Sequence, residues 1–222
     1  LINHDSLDIE FAITSDDEII ILQVRPIAVD HSEFKISDQA FYKLINEAEK
    51  KFIEHDKKLP FLLGTSALFG LMPDWNPAEI IGVNPGIMAY SLYQKIIMND
   101  IWSQQRAEYG YRDVRPIPLL NSFGGHPYVD VRASINSFIP ARLDDDLAEK
   151  YVEYFVEFLK NNPEYHDKLE FEVVPTCYDL NFDKWEKRFM TNGFTSQEIN
   201  TLKNALIEIT NSGIKRNGEF FE

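Results

Sequence analysis

Leu7-Asp8-Ile9-Glu10-Phe11-Ala12-Ile13, then Thr14-Ser15-Asp16-Asp17, then Glu18-Ile19-Ile20-Ile21-Leu22-Gln23-Val24-Arg25-Pro26: these twenty residues decide how the chain begins to fold. The first run alternates with the period-2 pattern of a strand, Leu7, Ile9, Phe11 and Ile13 facing one way and Asp8, Glu10 and Ala12 the other. Thr14–Asp17 is a cluster of turn formers. Glu18 to Val24 is isoleucine-rich and reads as a second strand. Arg25-Pro26 is expected to end it, because proline has no N–H to give a ladder. The two strands make a hairpin, and a lone hairpin is marginal in water. Its partners are therefore expected upstream of Leu1, in a longer protein. At the other end a helical pattern over Ser196–Asn211 runs on towards Phe220 and Phe221, aromatics that suggest an element continuing beyond Glu222.

Working outward, residues 27–36 read as a linker. Ser37-Asp38 caps a helix to about residue 56, with Phe41, Leu44, Ile45, Ala48 and Phe52 on one stripe. Residues 61–72 form an apolar run of undecided type. In Pro73-Asp74-Trp75-Asn76-Pro77, Asn76 is placed to cap a short helix with Pro77 at its first position. Pro85–Tyr109 reads as one long helix with Leu92, Ile96, Ile97, Ile101 and Trp102 inward. Residues 115–139 read as a strand pair joined through Gly124-Gly125, with Asp130, Arg132, Ser134 and Asn136 on one strand face. Asp144–Lys160 is an amphipathic helix closed by Asn161-Asn162-Pro163. Lys168–Thr176 reads as a strand; Asp183–Thr191 and Ser196–Asn211 read as helices. Helices and strands are mixed rather than strictly alternating, so the expected class is α+β: a terminal hairpin over 1–30 and a mixed helix/sheet domain over 31–222.

Composition narrows the function classes. The chain has 222 residues, 44% hydrophobic and 26% charged, ordinary values for a folded protein. Cys177 is its single cysteine, which excludes an intrachain disulfide and fits a reducing cytosol, so a cytoplasmic protein is expected. No apolar run approaches the roughly 20 residues of a membrane span. The net charge of −14 repels phosphate backbones and anionic lipid heads, so neither nucleic acid nor a membrane is an expected partner.

Chemistry is densest on the hairpin. Asp8 and Glu10 share a face of one strand; Gln23 and Arg25 share a face of the next. Carboxylate oxygens suit Mg²⁺, arginine suits phosphate oxygens, and the two together are the apparatus of phosphoryl transfer. The same four residues also read as an exposed hairpin face with cross-strand charge pairs. The stretch Asp8-Ile9-Glu10-Phe11-Ala12, a turn, and Leu22-Gln23-Val24-Arg25-Pro26 resembles the closing signature of the ATP-grasp nucleotide-binding domain of the phosphoenolpyruvate synthase / pyruvate phosphate dikinase family. The resemblance implies Mg²⁺ and ATP as cofactors. It implies that Glu10 binds the metal on ATP, that Gln23 helps hold the metal–nucleotide complex, that Arg25 contacts the phosphates in catalysis, and that Asp8 supports them. Other domains of the parent chain, and a small-molecule phosphate acceptor, with pyruvate the family's common one, are the implied partners.

The motif spans residues 8–26 of the 222. The family's swivelling domain carries a glycine pair, a threonine and a Ser/Cys-His-Ala; Gly124-Gly125-His126 lacks the threonine and the spacing, so His126 is not expected to carry phosphate. Phe69–Gly82, Tyr109-Gly110-Tyr111-Arg112 and Ser122-Phe123-Gly124-Gly125 are similar to blocks in long bacterial members of the family, which implies membership and no settled activity. Trp75, with acid and amide neighbours, has the make-up to hold a sugar or another polar small molecule. Trp75 and Arg132 are the candidate acceptor-recognition residues. Asp74 and Asn76 as turn and cap residues, with Trp75 simply packed, is the competing reading. His4, His31, His55 and His166 have no metal-ligand spacing, and Cys177 has no histidine near it in sequence. Three functions stay open: a piece, inactive alone, of a phosphoenolpyruvate synthase-like Mg-ATP-dependent phosphotransferase; a non-catalytic ligand-binding or interdomain scaffolding module; and a freestanding enzyme around Asp74, Asp130 and Arg132.

Overall fold

Strand β1 (Leu7–Ile13) pairs antiparallel with β2 (Ile19–Pro26) in the computed structural model, which describes residues 7–26, 36–71 and 73–219. Thr14 closes the turn: its hydroxyl accepts from the Asp16 and Glu18 amides, and its own amide donates to the Glu18 carbonyl. Pairing runs Ile9 with Val24, Phe11 with Ile21 and Ile13 with Ile19. Val24 and Ile21 are three apart and would face opposite sides of a regular strand. The register shift between Glu10 and Phe11 leaves Leu22 as the extra residue, a bulge that returns both to the apolar side. The other side carries Asp8 opposite Arg25 and Glu10 opposite Gln23. The second strand ends at Arg25-Pro26 as expected, Pro26 being its last residue and breaking no interior rung.

The chain divides into two compact units between Tyr42 and Lys43. Helix α1 (Asp38–His55) begins as expected at Ser37, whose hydroxyl accepts the Ala40 amide. Its expected apolar stripe is not buried: Phe41, Leu44, Ile45 and Phe52 are each at least 40% exposed. The expected linker over 27–36 lies outside the described residues except for Ile36, as do His4, His31, Phe220 and Phe221.

From Lys43 on, the unit combines helices with a three-stranded antiparallel sheet. Its strands are β3 (Phe69–Gly70), β4 (Leu120–Phe123) and β5 (His126–Asp130), in the order β3-β5-β4. The strand pair joined through Gly124-Gly125 is present, with both glycines at positive φ in the two-residue turn. The undecided run over 61–72 is described as far as residue 71, where it is mostly irregular and contributes only β3. Helix α2 (Pro77–Ile80) has the expected Asn76 cap, its side chain accepting from the Glu79 amide at 3.2 Å.

Three expectations are corrected. The single helix over 85–109 is two helices, α3 (Ile87–Tyr93) and α4 (Ile101–Glu108), joined by a wide π turn over Gln94–Met98. In that turn the Asn99 amide reaches back five residues to the Gln94 carbonyl. The wide turn advances the inward face, burying Tyr93, Met98 and Trp102 and leaving Leu92, Ile96 and Ile101 more than half exposed. Residues 131–136 are not strand but helix α5 (Val131–Asn136), started where the Asp130 side chain at the end of β5 accepts the Ala133 amide at 2.9 Å. Residues 168–176 form no strand: a 3₁₀ turn (Pro163–Lys168) leads into a π turn (Leu169–Val173). Leu169 and Val173, four apart, would share a face in a strand as well as in a wide helical turn, and both enter the core from the turn.

Helix α6 (Asp145–Asn161) is capped by Asp144, which accepts the Leu147 amide at 2.9 Å, and buries Leu147, Tyr151, Phe155 and Leu159 at helical spacing. Helix α7 (Asp183–Thr191) adds Trp185 and Phe189 to the same core. Helix α8 (Ser196–Glu219) starts in a reciprocal capping box: the Thr195 amide donates to the Glu198 carboxylate and the Glu198 amide to the Thr195 hydroxyl. A second cluster gathers Met98, Trp102, Leu119, Leu120 and Val129 under the sheet. Among the described residues no helix is long and apolar enough to cross a membrane.

Candidate functional sites

The hairpin brings together the four residues singled out on it. Register puts Asp8 against Arg25 and Glu10 against Gln23, so all four lie on the non-apolar face. The Arg25 Nε and Nη2 both reach the Asp8 Oδ2 at 2.7 Å. Both side chains are solvent-exposed, so the pair contributes under about 1 kcal/mol to stability; what it does is fix the direction of the guanidinium. Glu10 and Gln23, opposite one another, offer a carboxylate and an amide oxygen, hard donors of the kind Mg²⁺ takes. Mg²⁺ at nucleotide sites uses one or two side chains and fills its octahedron with phosphate oxygens and water. Two oxygen donors beside an arginine therefore fit a metal–nucleotide complex in chemistry and in number. Among the described residues no group of three or more His, Cys, Asp or Glu is gathered as for an all-protein metal cage.

The second site is built by Pro73-Asp74-Trp75-Asn76-Pro77. Between the prolines, Asp74 and Trp75 both have positive φ, 25° and 58°. Consecutive non-glycine residues in this region cost about 1–2 kcal/mol each, so neighbouring structure must hold them. The Asp74 carboxylate is gripped on both oxygens. Arg106 Nη2 donates to Oδ1 at 2.7 Å, and the Ser134 hydroxyl donates to Oδ2 at 2.5 Å. The Tyr93 hydroxyl donates to the Trp75 carbonyl. Arg106 comes from α4, is almost fully buried, donates by Nη1 to the Ser137 hydroxyl, and lies 3.8 Å from the centre of the Phe138 ring. Asp74 and Asn76 thus do serve as turn and cap residues, but Trp75 is not packed away. It is 38% exposed, against 0% for Trp102 and 5% for Trp185.

Trp75 opens onto a cavity of about 480 Å³. Asp74, Gln105, Arg106, Tyr109 and Tyr111 share its wall. The Tyr111 hydroxyl donates to the Thr176 carbonyl. Burial pushes that hydroxyl up to about 12, so it stays protonated across the physiological range. A neighbouring cavity of about 500 Å³, sharing Phe138 and Thr176, is lined by Cys177, Lys184 and Trp185.

Arg132 does not join Trp75. It is fully buried and is absent from the wall of the Trp75 cavity. Its Nη1 donates to the Lys57 carbonyl at 2.8 Å and the Gly64 carbonyl at 3.2 Å, and its Nη2 to the His55 carbonyl at 2.9 Å. The arginine at the cavity is Arg106, which sequence reasoning missed. The signal was an arginine four residues after Trp102 on the inward face of a helix, a position that demands a buried acid. Asp130 and Asn136 are likewise structural in their contacts: Asp130 caps α5, and Asn136 bonds both the amide and the carbonyl of Leu63. Burial raises the Asp130 carboxyl above the usual carboxylate range.

His126 at the start of β5 is exposed, its Nδ1 2.6 Å from the Val83 carbonyl. His55 and His166 contact the Lys51 and Leu159 carbonyls. Cys177 is exposed. Compared with known proteins, the chain matches no family model, no curated protein and no solved structure.

Proposed function

We propose that the chain is part of a phosphoenolpyruvate synthase-like, Mg-ATP-dependent phosphotransferase, contributing one edge of the nucleotide site and a domain that recognises the phosphate acceptor, and inactive by itself. The observation that carries this reading is the hairpin register, which sets Glu10 opposite Gln23 and Asp8 opposite Arg25 on one face. In this reading Glu10 and Gln23 hold Mg²⁺, which when bound withdraws charge from the phosphates of ATP. Arg25 meets the phosphate oxygens, and Asp8 aims its guanidinium. Four side chains on a two-stranded ribbon are a rim and not a cradle, so the remaining contacts to the nucleotide belong to other domains of the parent protein. Positioning is most of phosphoryl-transfer catalysis, which is why the isolated chain is expected to turn nothing over.

The test is made in the parent protein. Glu10→Ala and Arg25→Ala each abolish ATP-dependent turnover while the far-ultraviolet circular dichroism stays native; normal turnover in either variant refutes the assignment. A second reading, a ligand-binding module without catalysis, is favoured by the separate presence of the Trp75 cavity in the unit from Lys43 on. Under it, both hairpin variants leave the protein's function untouched and only the cavity matters.

A further inference from the structure

We propose that the Trp75 cavity binds a neutral polyhydroxylated ligand, a sugar or cyclic polyol, rather than a small carboxylate such as pyruvate. The charged groups in its wall are one acid and one base, Asp74 and Arg106, and they are bonded to each other at 2.7 Å. The Arg106 guanidinium is therefore already neutralised, donates also to Ser137, and lies against Phe138. An anion entering the cavity would have to compete with the buried Asp74 carboxylate for it, inside a chain of net charge −14.

What the wall offers instead is aromatic faces and uncharged polar groups. Trp75, Tyr109 and Tyr111 present ring surface, and Gln105, on the exposed side of α4, presents an amide that both donates and accepts. A sugar ring has the matching duality, apolar C–H faces for the rings and hydroxyls at its edge for amide and tyrosine partners. The volume, about 480 Å³, lies in the range of small-molecule sites and is ample for one hexose. The strained turn is the reason to read the cavity as built. Asp74 and Trp75 are held at positive φ by contacts to α3, α4 and α5, and the outcome is an indole at the surface where packing would have buried it.

Binding stands on the cavity alone; that the bound hydroxyl compound receives phosphate rests on the phosphotransferase reading above. The experiment is a calorimetric titration of the purified chain with glucose, galactose, mannose, myo-inositol and glycerol, with pyruvate alongside. For a ligand of about a dozen heavy atoms, efficiency limits give a dissociation constant of about 1–5 mM. At least one sugar or cyclitol is expected to bind in that range and to change the tryptophan emission, since Trp75 alone of the three tryptophans is exposed. Gln105→Ala, on an exposed helix face, should weaken binding about fivefold or more while the fold stays native, and Trp75→Phe should remove the emission change. Glu10→Ala should bind unchanged, which separates this site from the hairpin. Binding of none of the neutral compounds below about 50 mM, or tighter binding of pyruvate that Gln105→Ala leaves intact, overturns the proposal.

Discussion

Asp74→Ala is the substitution that most directly tests how the Trp75 turn is held. The carboxylate is 2% exposed and its partner, the Arg106 side chain, 8%. Removing one member of a buried ion pair leaves the other uncompensated and costs about 3–5 kcal/mol. That is a large share of the roughly 5–15 kcal/mol that stabilises a typical domain. Alanine is no better suited than aspartate to a φ of 25°, so no relief of strain offsets the loss. With a urea slope of about 2–3 kcal/mol/M, the midpoint of unfolding should fall by about 1–2 M, read by far-ultraviolet circular dichroism. Arg106→Met keeps an aliphatic stem beside Phe138 and removes the charge, and alone should cost a similar amount. The double variant carries no buried charge at this place. It should cost less than the sum of the two single variants, with a coupling of about 2 kcal/mol or more. Single costs below about 1 kcal/mol, or strict additivity, would refute the claim that this pair holds the turn.

Arg132→Lys preserves charge but loses the planar fork that serves the His55, Lys57 and Gly64 carbonyls, and should lower stability by about 2–4 kcal/mol; an unchanged melting temperature would contradict its role. Gly64→Ala should destabilise by more than about 1 kcal/mol, because Gly64 has φ +89° and a Cβ there would stand 3.0 Å from the Val152 Cγ1; a neutral result in urea titration would show that the α6 contact yields. Arg115 holds the Asp113 carboxyl at about 2, below its ordinary 3.8, so this pair's contribution is complete above pH 3.8 and is lost as pH falls through 2. Both side chains are more than a third exposed and screened by solvent, so that contribution is small. Asp113→Asn should flatten stability against pH by that amount between pH 4 and 2, and an unaltered acid slope would refute it.

Local signals in the sequence translated well into local structure. The period-2 alternation, the Thr14–Asp17 turn, the Asn76-Pro77 start, the Gly124-Gly125 hairpin and the Asp144 cap all sit where short-range chemistry put them. What failed depended on tertiary neighbours. The π turn at Gln94–Met98 adds one residue to a helical turn, and nothing in Gln-Lys-Ile-Ile-Met announces it. It is stabilised by what Tyr93 and Met98 find beneath the sheet. Leu169 to Val174 alternates like a strand, yet no sheet edge receives it, and the core of α6 to α8 takes Leu169 and Val173 from a turn. The Trp75 loop was visible as a loop, but its partnership with Arg106 spans 32 positions and no local pattern encodes it.

Helix α5 shows why polar residues in a sequence mislead about sites. Asp130, Arg132, Ser134 and Asn136 look like a constellation of catalytic groups when laid along a strand. Coiled into a helix whose every residue is buried, they point in several directions and each meets a backbone or an ion-pair need. Asp130 starts the helix, Arg132 and Asn136 satisfy the carbonyls and the amide of the irregular chain between residues 55 and 64, and Ser134 steadies Asp74. This irregular segment has no ladder to satisfy its backbone, and at His55, Lys57, Leu63 and Gly64 the side chains of α5 do so. That requirement accounts for the contacts that Arg132 and Asn136 make. It also explains how a strained turn is supported from one side. The helix that satisfies the 55–64 segment supplies Ser134 to Asp74, and Arg106 of α4 completes the grip. The indole of Trp75 is left 38% exposed at the surface.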